Sequence, residues 1–129
     1  MEELTLRKAQ ILAKKLYVLL AEIQDVSRQL AESLDRNDQV TARMLIGMRS
    51  EPIKNASLTK QALGVLRNDL QPEDALRLTQ LLNGAEASTE LEQPLVMQLK
   101  SNAQLLEQVQ RLDESLNLKI ARDKSIYQK

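Results

Sequence analysis

The chain has 129 residues and a mass of 14.6 kDa, long enough for one domain and short of the length at which a second becomes the default. It contains no Cys, His, Trp or Phe, and its aromatics are Tyr17 and Tyr127, which excludes a zinc-finger ligand set, a disulfide framework, a thiolate nucleophile and an imidazole base. Lys plus Arg number 18 against 18 Asp plus Glu, so no bulk field draws the molecule to nucleic acid or anionic lipid, and binding is expected to be local and mostly apolar.

Leu occurs 25 times, with Gln, Ala, Glu, Lys and Arg supplying most of the rest and only three Gly and three Pro. These are helix formers with little turn chemistry among them, which predicts few, long helices. The first, from about Glu2 to Arg36, carries Leu12, Leu16, Leu19, Ile23, Val26 and Leu30 at alternating steps of four and three, a heptad seam with Lys14, Lys15, Glu22, Asp25 and Arg28 between. At ~1.5 Å per residue it is a rod about 50 Å long that has to bury its seam against partners of similar length.

Arg36-Asn37-Asp38 is the first break, with Asn37 or Asp38 suited to cap the next helix. That helix runs from Gln39 through Met44, Leu45, Ile46 and Met48 to Leu70 and is expected to stay continuous but kinked near Ser50, because Pro52 lacks an amide hydrogen and crowds the carbonyl four residues back; the competing reading is a restart there, with Ser50 as the cap and Pro52 in the first turn. The cluster Met44-Ile46-Met48 is expected to fill the core beside that kink, the competing reading being a surface of flexible thioethers that adapts to partners. Pro72-Glu73-Asp74 starts a short helix ended by Asn83-Gly84, and Ala85 to Thr89 forms a polar, mobile connection. Thr89-Glu90-Leu91-Glu92 fits a capping box for the last long helix. There Leu95, Leu99, Asn102, Leu106, Val109, Asp113, Leu116 and Ile120 follow steps of four and three. Either Asn102 sits in the seam and fixes its register, or Leu105 and Leu112 rotate the stripe and leave Asn102 and Asp113 at its edge. From about residue 121 to 129 the pattern dissolves into a frayed tail bearing Ile126 and Tyr127.

The expected fold is therefore all-α: one domain over residues 1–129, an antiparallel long-helix hairpin or bundle of three long helices and one short one, packed in the coiled-coil manner. No enzyme is expected, and no cofactor or metal. Carboxylates are the only acid or base groups, the inward Glu-x-x-His pairs of ferritin-like sites need His, and Glu51, Glu73, Glu92, Glu107 and Glu114 sit in neighbourhoods typical of solvated faces. Gly47, Gly64 and Gly84 are isolated and form no phosphate loop. Arg7-Lys8 and Lys14-Lys15 have no aromatic platform beside them, so no nucleic-acid partner is expected. No stretch approaches the ~20 apolar residues that span a bilayer, and the acidic start Met1-Glu2-Glu3 does not read as a secretory signal; a cytoplasmic location without membrane insertion is the expectation.

The layout of a heptad N-terminal helix, an Asn-Asp break, a second long helix containing Met44-Leu45-Ile46-Gly47-Met48-Arg49-Ser50-Glu51-Pro52-Ile53, and a long amphipathic C-terminal helix with a loose tail resembles the FlgN-like flagellar export chaperones. The resemblance implies a bacterial chaperone that keeps hook-filament junction proteins unassembled through contacts with their terminal helices. It further implies that the C-terminal region binds cargo and docks at the export gate, with Tyr127 the one residue that could match a tail Tyr. The contact surface expected on this basis is Leu105, Leu106, Val109, Leu112, Leu116 and Ile120, with Ile126 and Tyr127 as a secondary element. The alternative is a structural coiled-coil protein without a client, and the two heptad stripes make a homodimer a further expectation.

Overall fold

The computed structural model describes residues 1–122 and is all-α. Helix α1 spans Glu3–Asp35, α2 Gln39–Asn68, α3 Pro72–Leu82 and α4 Gln93–Arg122, with a 3-10 turn at Glu90–Glu92 leading into α4. Ala121 and Arg122, assigned above to the tail, still belong to α4, whose last turn carries Lys119 and Arg122 against the negative end of the helix dipole.

The breaks obey local chemistry. At the end of α1, Asn37 adopts a positive φ of 58°, the Asn37 amide donates to Leu34 O and the Asp38 amide to Ser33 O, which closes the helix with the double bond of a Schellman cap. The Asp38 carboxylate then accepts from the Thr41 amide at 3.1 Å and caps α2; this bond holds the Asp38 carboxyl below its usual range. The same closure ends α3, where Gly84 at φ 100° donates to Leu81 O and Ala85 to Gln80 O. Helix α2 runs unbroken through Pro52, whose ring is buried.

Core packing makes α1 the axis of the molecule. At one end Leu6, Ala9 and Ala13 meet Leu63 of α2, Leu78 and Leu81 of α3, and Leu95 and Val96 of α4. In the middle Leu19, Leu20 and Ile23 meet Ala56, Leu105 and Val109. At the far end Val26, Leu30 and Leu34 meet Ala42, Leu45 and Leu116. This order runs α2 antiparallel to α1 and α4 parallel to it. The fully buried Ala9, Ala13 and Ala42 let helices approach closely, and each buried Leu contributes about 1.5–3 kcal/mol. The expected seam holds at Leu19, Ile23, Val26 and Leu30, while Leu12 and Leu16 are half-buried.

Two polar residues decide how α4 lies on α1. Asn102 is buried and its side-chain amide donates to the Ala13 carbonyl at 2.8 Å while accepting from Gln98, so it stands in the seam. Asp113 lies at the edge and pairs with Arg49 of α2. The Met cluster differs from the expectation of core filling. Only Ile46 packs on the core, whereas Met44 and Met48 point to solvent, 58% and 52% exposed, because Ala42, Leu45 and Pro52 occupy the face of α2 turned to α1.

Candidate functional site

Since α2 and α4 each pack along α1 and scarcely meet one another, a cleft of about 550 Å³ opens between them. Its floor is Leu16 and Leu20 of α1. Leu63, Gly64, Lys60 and Arg67 form the α2 wall, and Leu99, Asn102, Ala103 and Leu106 the α4 wall. Leu82 and Asn83 at the end of α3 close it on one side. Toward the other end of the bundle the Arg49–Asp113 ion pair ties the two walls together. The half-buried state of Leu16, Leu82, Leu99 and Leu106 follows from this geometry: each has packing on one side and open space on the other. Gly64 contributes no side chain to its wall, and a Cβ placed there would meet only the tip of Arg67 at 4.0 Å.

The residues singled out from sequence fare differently. Leu105, Val109 and Leu116 are buried against α1 and belong to the core. Leu112 and Ile120 are half-buried at the edge of the far-end cluster. Leu106 alone faces the cleft. Ile126 and Tyr127 lie outside the described residues. The heptad stripe of α4 thus spends most of its apolar surface on α1, the nearest parallel helix, and offers a partner only its flank. Floor and α2 wall were missed from sequence, because Leu16 reads as a seam residue and Leu63 as the core of another helix until their helices are placed side by side.

The connection from α3 to α4 is held by a clasp that sequence reading also missed. Glu92, expected to be solvated and to cap α4, is only 6% exposed. Thr89 makes no side-chain cap. The Glu92 carboxylate instead accepts from Arg77 Nε at 3.0 Å and Nη2 at 2.7 Å, and from the Ser88 amide at 2.8 Å. Arg77 also donates to the Glu86 carbonyl and the Ser88 hydroxyl, so the segment from Ala85 to Thr89, expected to be mobile, is tied back onto α3. The Arg77 bonds hold the Glu92 carboxyl down at about 2 against the opposing effect of burial, and Glu92 in turn raises the Arg77 guanidinium.

Among the described residues no group of three or more Asp or Glu is placed to hold a metal ion, and no helix is long and apolar enough to cross a membrane. The cleft offers aliphatic walls, a basic rim of Lys60 and Arg67, and no carboxylate among its lining residues, an arrangement suited to apolar burial with charge selection at the mouth. Comparison with protein families, with curated proteins and with solved structures finds no match.

Proposed function

We propose that this chain is a non-enzymatic helical adaptor of the export-chaperone type, working in the cytoplasm, that receives an amphipathic helix of a client protein in the α2–α4 cleft and keeps it from assembling. The observation that carries the reading is the incomplete bundle. Two long helices lie on a third with an apolar channel between them, and a fourth helix laid there would cover Leu16, Leu20, Leu99 and Leu106 at once. The basic rim favours a client whose apolar stripe is flanked by Glu or Asp. Hook-filament junction proteins and the export gate are the partners that the layout's likeness to FlgN-like chaperones suggests.

The binding surface proposed is the cleft, to which Leu106 is the one contribution from the contact surface expected between Leu105 and Ile120. The test titrates a fluorescent peptide copied from the terminal amphipathic helix of a hook-filament junction protein. Ala103→Arg fills the cleft mouth from an exposed position and is expected to weaken binding at least tenfold with helicity unchanged. Equal affinity for the wild type and Ala103→Arg would remove the cleft as the site, and no binding to any junction-protein peptide would remove the client class.

A further inference from the structure

The face of α2 turned away from α1 and from the cleft carries exposed apolar side chains toward both ends and a polar centre. Val40, Met44, Met48, Leu58 and Val65 are each between 49% and 80% exposed, and none of them lines the cleft. Together with Glu51, Asn55 and Ala62 they follow one another at steps of four and three, so they form one stripe along about 38 Å of helix. Gly47 lies in the same stretch with nothing within 4 Å of the position its Cβ would take, leaving room for close approach.

The stripe is nearly palindromic about Ile53. Met48 and Leu58 lie five residues to either side, Met44 and Ala62 nine, and Val40 and Val65 thirteen and twelve. The two residues at distance two are polar, Glu51 and Asn55. We infer that this face is the interface of an antiparallel homodimer, in which two copies of α2 meet about a two-fold axis near residue 53. In that pairing Val40 faces Val65, Met44 faces Ala62 and Met48 faces Leu58, while Glu51 comes opposite Asn55 and within reach of Lys54 on the other copy. A two-fold interface has to be complementary to itself, and this pattern is. A parallel pairing would set Glu51 against Glu51 and Lys54 against Lys54. Covering the five exposed side chains removes on the order of 500 Å² per copy, which brings the pair to the ~1,000 Å² that a specific, weak interface needs. Flexible Met side chains adapt to such a surface, which accounts for their exposure here. The cleft lies on the other side of α2 and stays open in the dimer.

Sedimentation equilibrium of the full chain tests this. The mass is expected to rise from 14.6 kDa toward twice that value between micromolar and about 1 mM protein. Leu58→Glu, at a half-exposed position, is expected to stay at the single-chain mass with unchanged helicity by circular dichroism. Glu51→Lys turns both central attractions into repulsions and should raise the dissociation constant about tenfold at low salt, and adding Lys54→Glu should recover it. A wild type that remains single throughout would overturn the inference. So would a dimer indifferent to Leu58→Glu, or one whose Glu51→Lys defect is not rescued by Lys54→Glu.

Discussion

Replacing Glu92 by Gln removes one negative charge from a site where three donors converge on it. The carboxylate takes two bonds from Arg77 and one from the Ser88 amide, and its carboxyl is held at about 2 against a reference of 4.5. At ~1.4 kcal/mol per pH unit this difference sets a ceiling of about 3.5 kcal/mol, and because Arg77 keeps a quarter of its side-chain surface in water, screening brings the expected contribution to about 1.5–2 kcal/mol. The sign follows from linkage. A carboxyl that is more acidic folded than unfolded adds stability that is fully present above about 4.5 and is lost as pH falls from there toward 2. Urea unfolding at pH 7 should therefore find Glu92→Gln less stable by about 1.5–2 kcal/mol, and the gap should narrow steadily below pH 4.5 and nearly vanish close to pH 2. A gap of constant size across that range would refute the ionic account and leave shape alone to explain the variant. Since the clasp fixes the segment before α4, hydrogen exchange of the Ala85–Thr89 amides should also quicken in Glu92→Gln at pH 7.

Ser27 is fully buried in α1 and its hydroxyl has no hydrogen-bond partner, so Ser27→Ala is expected to stabilise the protein by about 1 kcal/mol, read as a melting point raised by roughly 3–4 °C. Asn102→Ala deletes the bond to the Ala13 carbonyl and leaves a gap in the α1–α4 seam; a loss of about 1–3 kcal/mol in denaturant unfolding is expected, and an unchanged midpoint would show that the bond does not hold α4 in register. Leu116→Ala, at a site 1% exposed, should cost about 3–5 kcal/mol, whereas Leu118→Ala two residues on, 61% exposed, should fall within about 0.5 kcal/mol of the wild type.

Much of the architecture was legible in the sequence because it is local. Heptad steps from Leu19 to Leu30 and from Leu95 to Leu116 declare helices and the faces they bury, and Asp38, Pro72 and Gly84 mark starts and stops through bonds that span a few residues. The errors came where a residue's partner is far along the chain. Glu92 fits a capping box by spacing, yet it is claimed by Arg77 on α3. Met44 and Met48 fit a core by hydropathy, yet Ala42, Leu45 and Pro52 hold the inner face of α2. No local signal separates these outcomes, since each depends on which side of a helix meets its neighbour. The same holds for the stripe of α4, where Leu105, Val109 and Leu116 are consumed by α1 while Leu99, Asn102 and Leu106 reach the cleft.

Composition and periodicity by themselves determined that this chain makes long helices with aliphatic stripes, because helix formers dominate it and Leu recurs at heptad steps. The tertiary structure decided where that surface is left over. By laying α2 and α4 along α1 without joining them it opened a cleft, and by turning the Ala-lined and Leu-lined faces of α2 inward it put Val40, Met44, Met48, Leu58 and Val65 on the outside. A helix fixes the angles between its own side chains, and only packing fixes the direction in which the set of them points.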